Sequence, residues 1–167
     1  GEKASEMAVE LVSQKLGQLV NFNQSSDAQV LSAIDDAVGY ANVEIMALSE
    51  LDPNYHNMGT TIALMVQSGG TFYVAGIGDS RVYLARDGKV QRLTRDHSLT
   101  DALLEAGTIT VEEAARHRYR NVLYRYLGTK DGGTGAKAQP VAVRKGDRFV
   151  MCSDGATDGL SDQSIGL

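Results

Sequence analysis

Two aspartates sit in turns that directly follow strand-like apolar runs, in Gly78-Asp79-Ser80-Arg81 and in Ser153-Asp154-Gly155. A carboxylate at the tip of a strand is carried by rigid backbone yet faces solvent. There a hard cation such as Mg²⁺ or Mn²⁺ can take oxygen ligands while keeping several of its waters. Asp79 and Asp154 are therefore read as a candidate metal site that exists only if the two turns meet in space. Aspartate also makes turns by accepting from its own backbone, and for Asp79 alone that purely structural role is the better reading.

Other residue types that could do chemistry are weaker candidates. Gly76-Ile77-Gly78 after a strand resembles the opening of a dinucleotide-binding turn, but Arg81 stands where the third glycine is needed and a strand follows instead of a helix. Cys152, the only cysteine, lies inside the run Arg148-Phe149-Val150-Met151-Cys152 with no histidine near in sequence, so it is read as a buried apolar residue and not a nucleophile. His97 at a loop start and His117 in an arginine-rich segment are expected to be solvated or to cap local backbone. Arg116, Arg118, Arg120 and Arg125 are either a basic face that meets a partner or a solvated surface, with equal weight. Asp131-Gly132-Gly133-Thr134-Gly135 is expected to be a flexible loop, since no helix opens after it to cradle a phosphate.

The elements that must position these residues are legible in the spacing. Apolar residues at helical intervals from Met7 to Val20, and again from Val30 to Leu48, predict two amphipathic helices, the second opened by a capping box at Ser26 and Gln29 and stopped by Pro53. Thr60 to Ser68 and Thr71 to Ile77 flank Gly69-Gly70, and Arg81 to Ala85 and Lys89 to Leu93 flank Asp87-Gly88, as hairpins do. A meander of consecutive antiparallel strands is the simplest expectation. Helical signals return between residues 98 and 128, with Thr110-Val111-Glu112-Glu113 as a second capping box, strands resume at Gln139 to Val143 and Arg148 to Cys152, and Ser161-Asp162 is expected to cap a final helix. This order is α+β, with helices packed outside antiparallel sheets.

Size and charge exclude several classes. At 167 residues and 43% hydrophobic content the chain fits one domain and can build a core without disulfides or structural zinc. A net charge of -5 and a pI near 5.1 offer no clustered basic surface for nucleic acid. No apolar stretch reaches the roughly 20 residues needed to span a bilayer, so no membrane association is expected and a reducing cytoplasmic location is.

Taken in order, Met58-Gly59-Thr60-Thr61, Ala75-Gly76-Ile77-Gly78-Asp79-Ser80-Arg81-Val82-Tyr83, Leu93-Thr94-Arg95-Asp96-His97-Ser98, Arg120-Asn121-Val122-Leu123 and Gly146-Asp147-Arg148 with Cys152-Ser153-Asp154-Gly155 resemble the successive motifs of the PPM (PP2C-like) serine/threonine protein phosphatases, nearest the compact bacterial members. Each motif alone is weak, and their shared order over nearly the whole chain is specific. The resemblance implies a sandwich of two antiparallel β-sheets flanked by helices, with two or three Mn²⁺ or Mg²⁺ ions at one edge. It implies hydrolysis of phosphoserine or phosphothreonine on proteins, the phosphorylated products of a serine/threonine kinase, by a cation-activated water. Asp154 matches a ligand of the central metal pair. Asp79 with Asp154 matches the holders of a third metal, Asn121 a residue that touches that third ion through water, and residues 96–128 the flap beside the cleft. Arg116, Arg118 and Arg120 then become candidates for meeting the substrate.

The family's early aspartate, its glycine-rich aspartate motif and its late aspartate-asparagine motif have no counterpart here, nor do its phosphate-binding basic residue and proposed general-acid histidine. Residues 1–167 are thus expected to be the central portion of such a domain, an incomplete sandwich cut at both ends, with no catalytic residue assigned and little activity alone. A pseudophosphatase module that only binds phosphoproteins is the rival expectation. A relative acting on a small phosphorylated metabolite is a weaker one.

Overall fold

The computed structural model describes residues 1–157 and Ser164. Two long helices come first, α1 (Glu2–Leu19) and α2 (Asp27–Leu51). On α1 the buried Ala4, Ala8, Val12 and Leu16 recur every fourth residue, which lines them up on one face. The expected capping box is present: the Gln29 amide donates to Ser26 Oγ at 3.3 Å and the Ser26 amide donates to Gln29 Oε1 at 2.8 Å. Small buried residues on α2, Ala33, Ala37 and Ala41, let it lie closely against its neighbours. Its end is set by Asp52, whose carboxylate accepts from the Asn54 amide as Pro53 opens a short 3-10 turn.

The strands are β1 (Ile62–Ser68), β2 (Thr71–Ile77), β3 (Arg81–Arg86), β4 (Lys89–Arg92), β5 (Gln139–Val141) and β6 (Arg148–Cys152). Both hairpins form as their turn residues predict, with Ser68 opposite Thr71 and Arg86 opposite Lys89. The single meander does not. β2 and β3 leave the ladder at Gly78 and enter different sheets, ordered β1-β2-β5 and β4-β3-β6. Two causes are visible. Gly78 has φ +98°, a conformation that ends a ladder and that side-chain-bearing residues rarely adopt. The apolar residues of β2 and β3, among them Tyr73, Val74, Val82, Tyr83 and Leu84, are buried on both strand faces, which a one-layer sheet cannot supply. The Phe72 and Phe149 rings stack across the sheets at 5.8 Å between centroids.

The helical pair covers the β1-β2-β5 sheet, and its apolar face, Ile62, Val66, Tyr73 and Ile77 of the sheet and Leu127 form one core. Tyr73, fully buried, donates its hydroxyl to Asp27 at 2.5 Å and so ties the first turn of α2 to the sheet. Between the hairpins and the last strands lie two short helices, α3 (Leu99–Glu105), capped by Ser98, and α4 (Val111–Ala115), opened by the predicted Thr110/Glu113 box. Residues beyond α4 return to the body through the paired Thr60 and Leu127, each donating its amide to the other's carbonyl at 3.0 and 2.8 Å.

The glycine-rich loop differs from expectation. Gly132 is buried, and a Cβ there would collide with the Tyr126 carbonyl and lie 2.7 Å from Asn42 Oδ1, while one at Gly133 would meet Gly39 Cα at 3.0 Å. These glycines serve close backbone approach to α2, and flexibility is not their role. A last helix, α5 (Asp154–Thr157), opens at the second aspartate turn. The cap expected at Ser161-Asp162 lies outside the described residues. Among the described residues no helix is long and apolar enough to cross a membrane.

Candidate metal centre

The pairing of β3 with β6 brings the two aspartates together. The ladder is antiparallel and runs from Ala85 opposite Arg148 to Arg81 opposite Cys152. Asp79 and Asp154 each lie two residues beyond the last pair, Arg81 and Cys152, so their turns leave the ladder at the same end. The electrostatics agree: Asp79, half-buried, has its pKa raised, first by loss of solvent and then by the negative charge of Asp154.

The turn that carries Asp79 is held from both sides. At Gly78 a Cβ would strike the Thr61 side chain, so the turn lies flat against the start of β1, where Thr61 Oγ1 and Ser80 Oγ are 2.8 Å apart. His97 grips the same residue twice, its amide donating to the Gly78 carbonyl at 2.8 Å and its Nδ1 accepting from the Gly78 amide at 3.1 Å. His97 is 4% exposed, contrary to the expected solvated role, because its ring fills the space under the turn and packs edge-on against Tyr124. Burial, followed by the charges of Arg125, Lys137 and Arg95, lowers its pKa and keeps the imidazole neutral.

Arg81, two positions after Asp79, lowers its pKa less than Asp154 raises it. Its guanidinium is turned to the buried Asp96, with Nε 3.0 Å from Oδ1 and Nη2 2.6 Å from Oδ2, and to the Tyr83 hydroxyl at 3.0 Å. Asp79 forms no ion pair among the described residues. Asp154 is exposed, and its Oδ1 accepts from the Gly155 amide at 2.9 Å. Two facing carboxylates without a cationic side chain between them are an all-oxygen donor set that fits a hard divalent cation. They are only part of one: among the described residues no group of three or more His, Cys, Asp or Glu is placed to hold a metal.

Asn121 is exposed and lines a shallow groove of about 360 Å³ with Thr60, Thr61 and Tyr126. A second groove of about 270 Å³ is lined by Ser80 and Ser153, the neighbours of the two aspartates, and by Thr61 and Cys152. Thr61 thus joins the surface beside Asn121 to the surface beside the aspartates. Cys152 is half-buried there, not fully buried as expected. Arg116, Arg118 and Arg120 follow α4 and are all exposed, with Arg118 stacked 4.1 Å over the Tyr119 ring. His117 accepts the Tyr119 amide on Nδ1 at 3.2 Å, a local backbone role as expected.

Spacing alone did not reveal Asp96 or His97 as supports of the turn. Their sequence signal is the motif Leu93-Thr94-Arg95-Asp96-His97-Ser98, which marks the segment without giving the two side chains a role.

Comparison with known proteins agrees with this architecture. Residues 1–165 match the family model described as protein phosphatase 2C. The serine/threonine protein phosphatase PstP of Mycobacterium tuberculosis is 36% identical over 169 residues, covering 99% of this chain and 31% of that protein. The serine/threonine phosphatase stp of Listeria monocytogenes is 32% identical over 165 residues, 99% of this chain and 64% of that protein. The chain therefore spans 31% and 64% of the length of these two curated relatives. Among solved structures, the S. agalactiae serine/threonine phosphatase superposes with a TM-score of 0.85 at 30% identity, covering 99% of this chain and 68% of that one. The PstP catalytic domain in complex with two manganese ions gives 0.75 at 34% identity, with 96% and 65% covered. With its motifs in order, its sheets paired as a sandwich and its two aspartate turns opposed at one edge, the chain belongs to the protein phosphatase 2C family.

Proposed function

We propose that this chain contributes to hydrolysis of phosphoserine and phosphothreonine on proteins, with Mn²⁺ or Mg²⁺ as cofactor. The observation that carries the reading is the β3–β6 pairing, which leads the Asp79 and Asp154 turns out of one end of the ladder, near enough for the charge of Asp154 to raise the Asp79 pKa. Two relatives named as serine/threonine phosphatases, one of them solved with manganese, support it. Bound divalent cations supply charge neutralisation at the phosphoryl oxygens and a water of lowered pKa.

The chain's own residues do the positioning. Asp79 and Asp154 present carboxylate oxygens to a shared ion, and Asn121 lies on the adjoining surface, suited to contact that ion through water. His97 and Arg81–Asp96 fix the Asp79 turn. Residues 96–128 act as a flap, and the exposed Arg116, Arg118 and Arg120 on it meet phosphorylated protein, the product of a serine/threonine kinase, in the cytoplasm. The acidic charge disfavours nucleic acid as a partner.

The test is phosphate release from a phosphothreonine peptide in Mn²⁺. The 167 residues alone are expected to release little, since two carboxylates hold part of a ligand set. A chimera in which they replace the matching segment of the Listeria phosphatase is expected to be active, and Asp154→Asn in it to cost about a hundredfold or more. A folded chimera that binds Mn²⁺ and the peptide yet releases no phosphate supports the binding-module reading instead.

A further inference from the structure

A cavity of about 170 Å³ lies between β2, the segment 93–97 and residues 136–139, and shares no lining residue with the two grooves beside the aspartates. His97, Arg95 and Lys137 contribute to its wall, and no Asp or Glu does. His97 is the informative group. Its Nδ1 is occupied as an acceptor by the Gly78 amide, so the neutral ring carries its proton on Nε2. That N–H has no hydrogen-bond partner among the described residues, although the side chain is 4% exposed. Sealed side-chain nitrogens and oxygens among these residues all have partners, so Nε2 keeps contact with the open volume of the cavity.

The surroundings are positive. Lys137 makes no ion pair or hydrogen bond among the described residues and is held at φ +48°, which a side-chain-bearing residue adopts only when its neighbours impose it. Arg95 adds charge while shared with Asp101, at 3.6 Å, and Glu105. An unpartnered ring N–H and a nearby ammonium on one cavity wall are two donors that a single bound anion can satisfy together. The volume, against roughly 30 Å³ per water in the liquid, admits a five-atom anion with water to spare.

We propose that this cavity is a binding site for a small tetrahedral oxyanion, of the phosphate or sulfate class, held by the Nε2–H of His97 and by Lys137 within the field of Arg95. The same imidazole would then join the anion to the Gly78 amide, one residue before Asp79.

The experiment is an NMR titration of the 167-residue chain with inorganic phosphate and with sulfate, in EDTA so that no metal takes part and the outcome stands apart from the proposed phosphatase activity. Saturable shifts of the His97 ring nitrogens and the Gly78 amide are expected. Lys137→Gln, at an exposed position, is expected to weaken binding about tenfold, with the rest of the spectrum unchanged, and Arg95→Gln to weaken it less. A phosphothreonine peptide giving the same shifts would assign a tethered phosphoryl group as the ligand, and shifts with the ions alone would assign a free ion. No saturable shift with any of them, or equal affinity in Lys137→Gln, overturns the proposal.

Discussion

Arg81 turns its charge away from the aspartate two positions before it, and that choice shapes the site. Its partner Asp96 is 6% exposed at the side chain and also lies 3.5 Å from Arg92, so removing its charge loosens two arginines at once in a poorly hydrated place. Asp96→Asn is expected to cost about 2–3 kcal/mol, below the full penalty for a buried pair because Arg81 still reaches water. Urea denaturation checks this, and an unchanged midpoint would mean that Asp96 is not what holds the turn. At this scale the sequence was informative for Asp79 and Asp154, whose turn chemistry is local. It was silent on His97 and Asp96, whose roles depend on contacts with Gly78 and Arg81 that no local pattern encodes.

Hairpins and caps are local too, and the elements built on them emerged as read. The two-residue turns, the boxes at Ser26 and Thr110 and the stop before Pro53 all formed. What spacing could not supply was the division of strands between sheets, since the pairing of β3 with β6 closes a long loop. One long-range tie that helps close it is the Arg86–Asp147 pair, at 2.8 and 2.7 Å, between the end of β3 and the start of β6. The Arg86 guanidinium and the Arg144 amide hold the Asp147 pKa down to about 2. A carboxylate whose folded pKa lies below its unfolded value of roughly 3.9 lends stability that is complete above the latter and lost as pH falls through it towards 2. The wild type should therefore lose stability between about pH 4 and 2 more steeply than Asp147→Asn. Parallel acid profiles for the two would refute that assignment. A second tie is Asn42 on α2, which donates to the Thr129 carbonyl at 2.9 Å and accepts the Gly128 amide at 2.7 Å. Asn42→Ala leaves both part-buried groups without this partner and is expected to cost about 1–2 kcal/mol, seen as a fall in the thermal midpoint.

For the molecule as a whole, the sandwich matters because its second sheet aligns one end of β3 with one end of β6, and the shared donor set proposed for the two turns depends on that alignment. The central claim is that Asp79 and Asp154 hold the same ion. Mn²⁺ binding followed by electron paramagnetic resonance, on the wild type, Asp79→Asn, Asp154→Asn and the double variant, tests it most directly. Each single change is expected to weaken binding about tenfold or more, and the double variant to be little worse than the weaker single one, since both changes act on one ion. Mn²⁺ affinity unaltered by either substitution, or losses that simply add, would contradict a shared site.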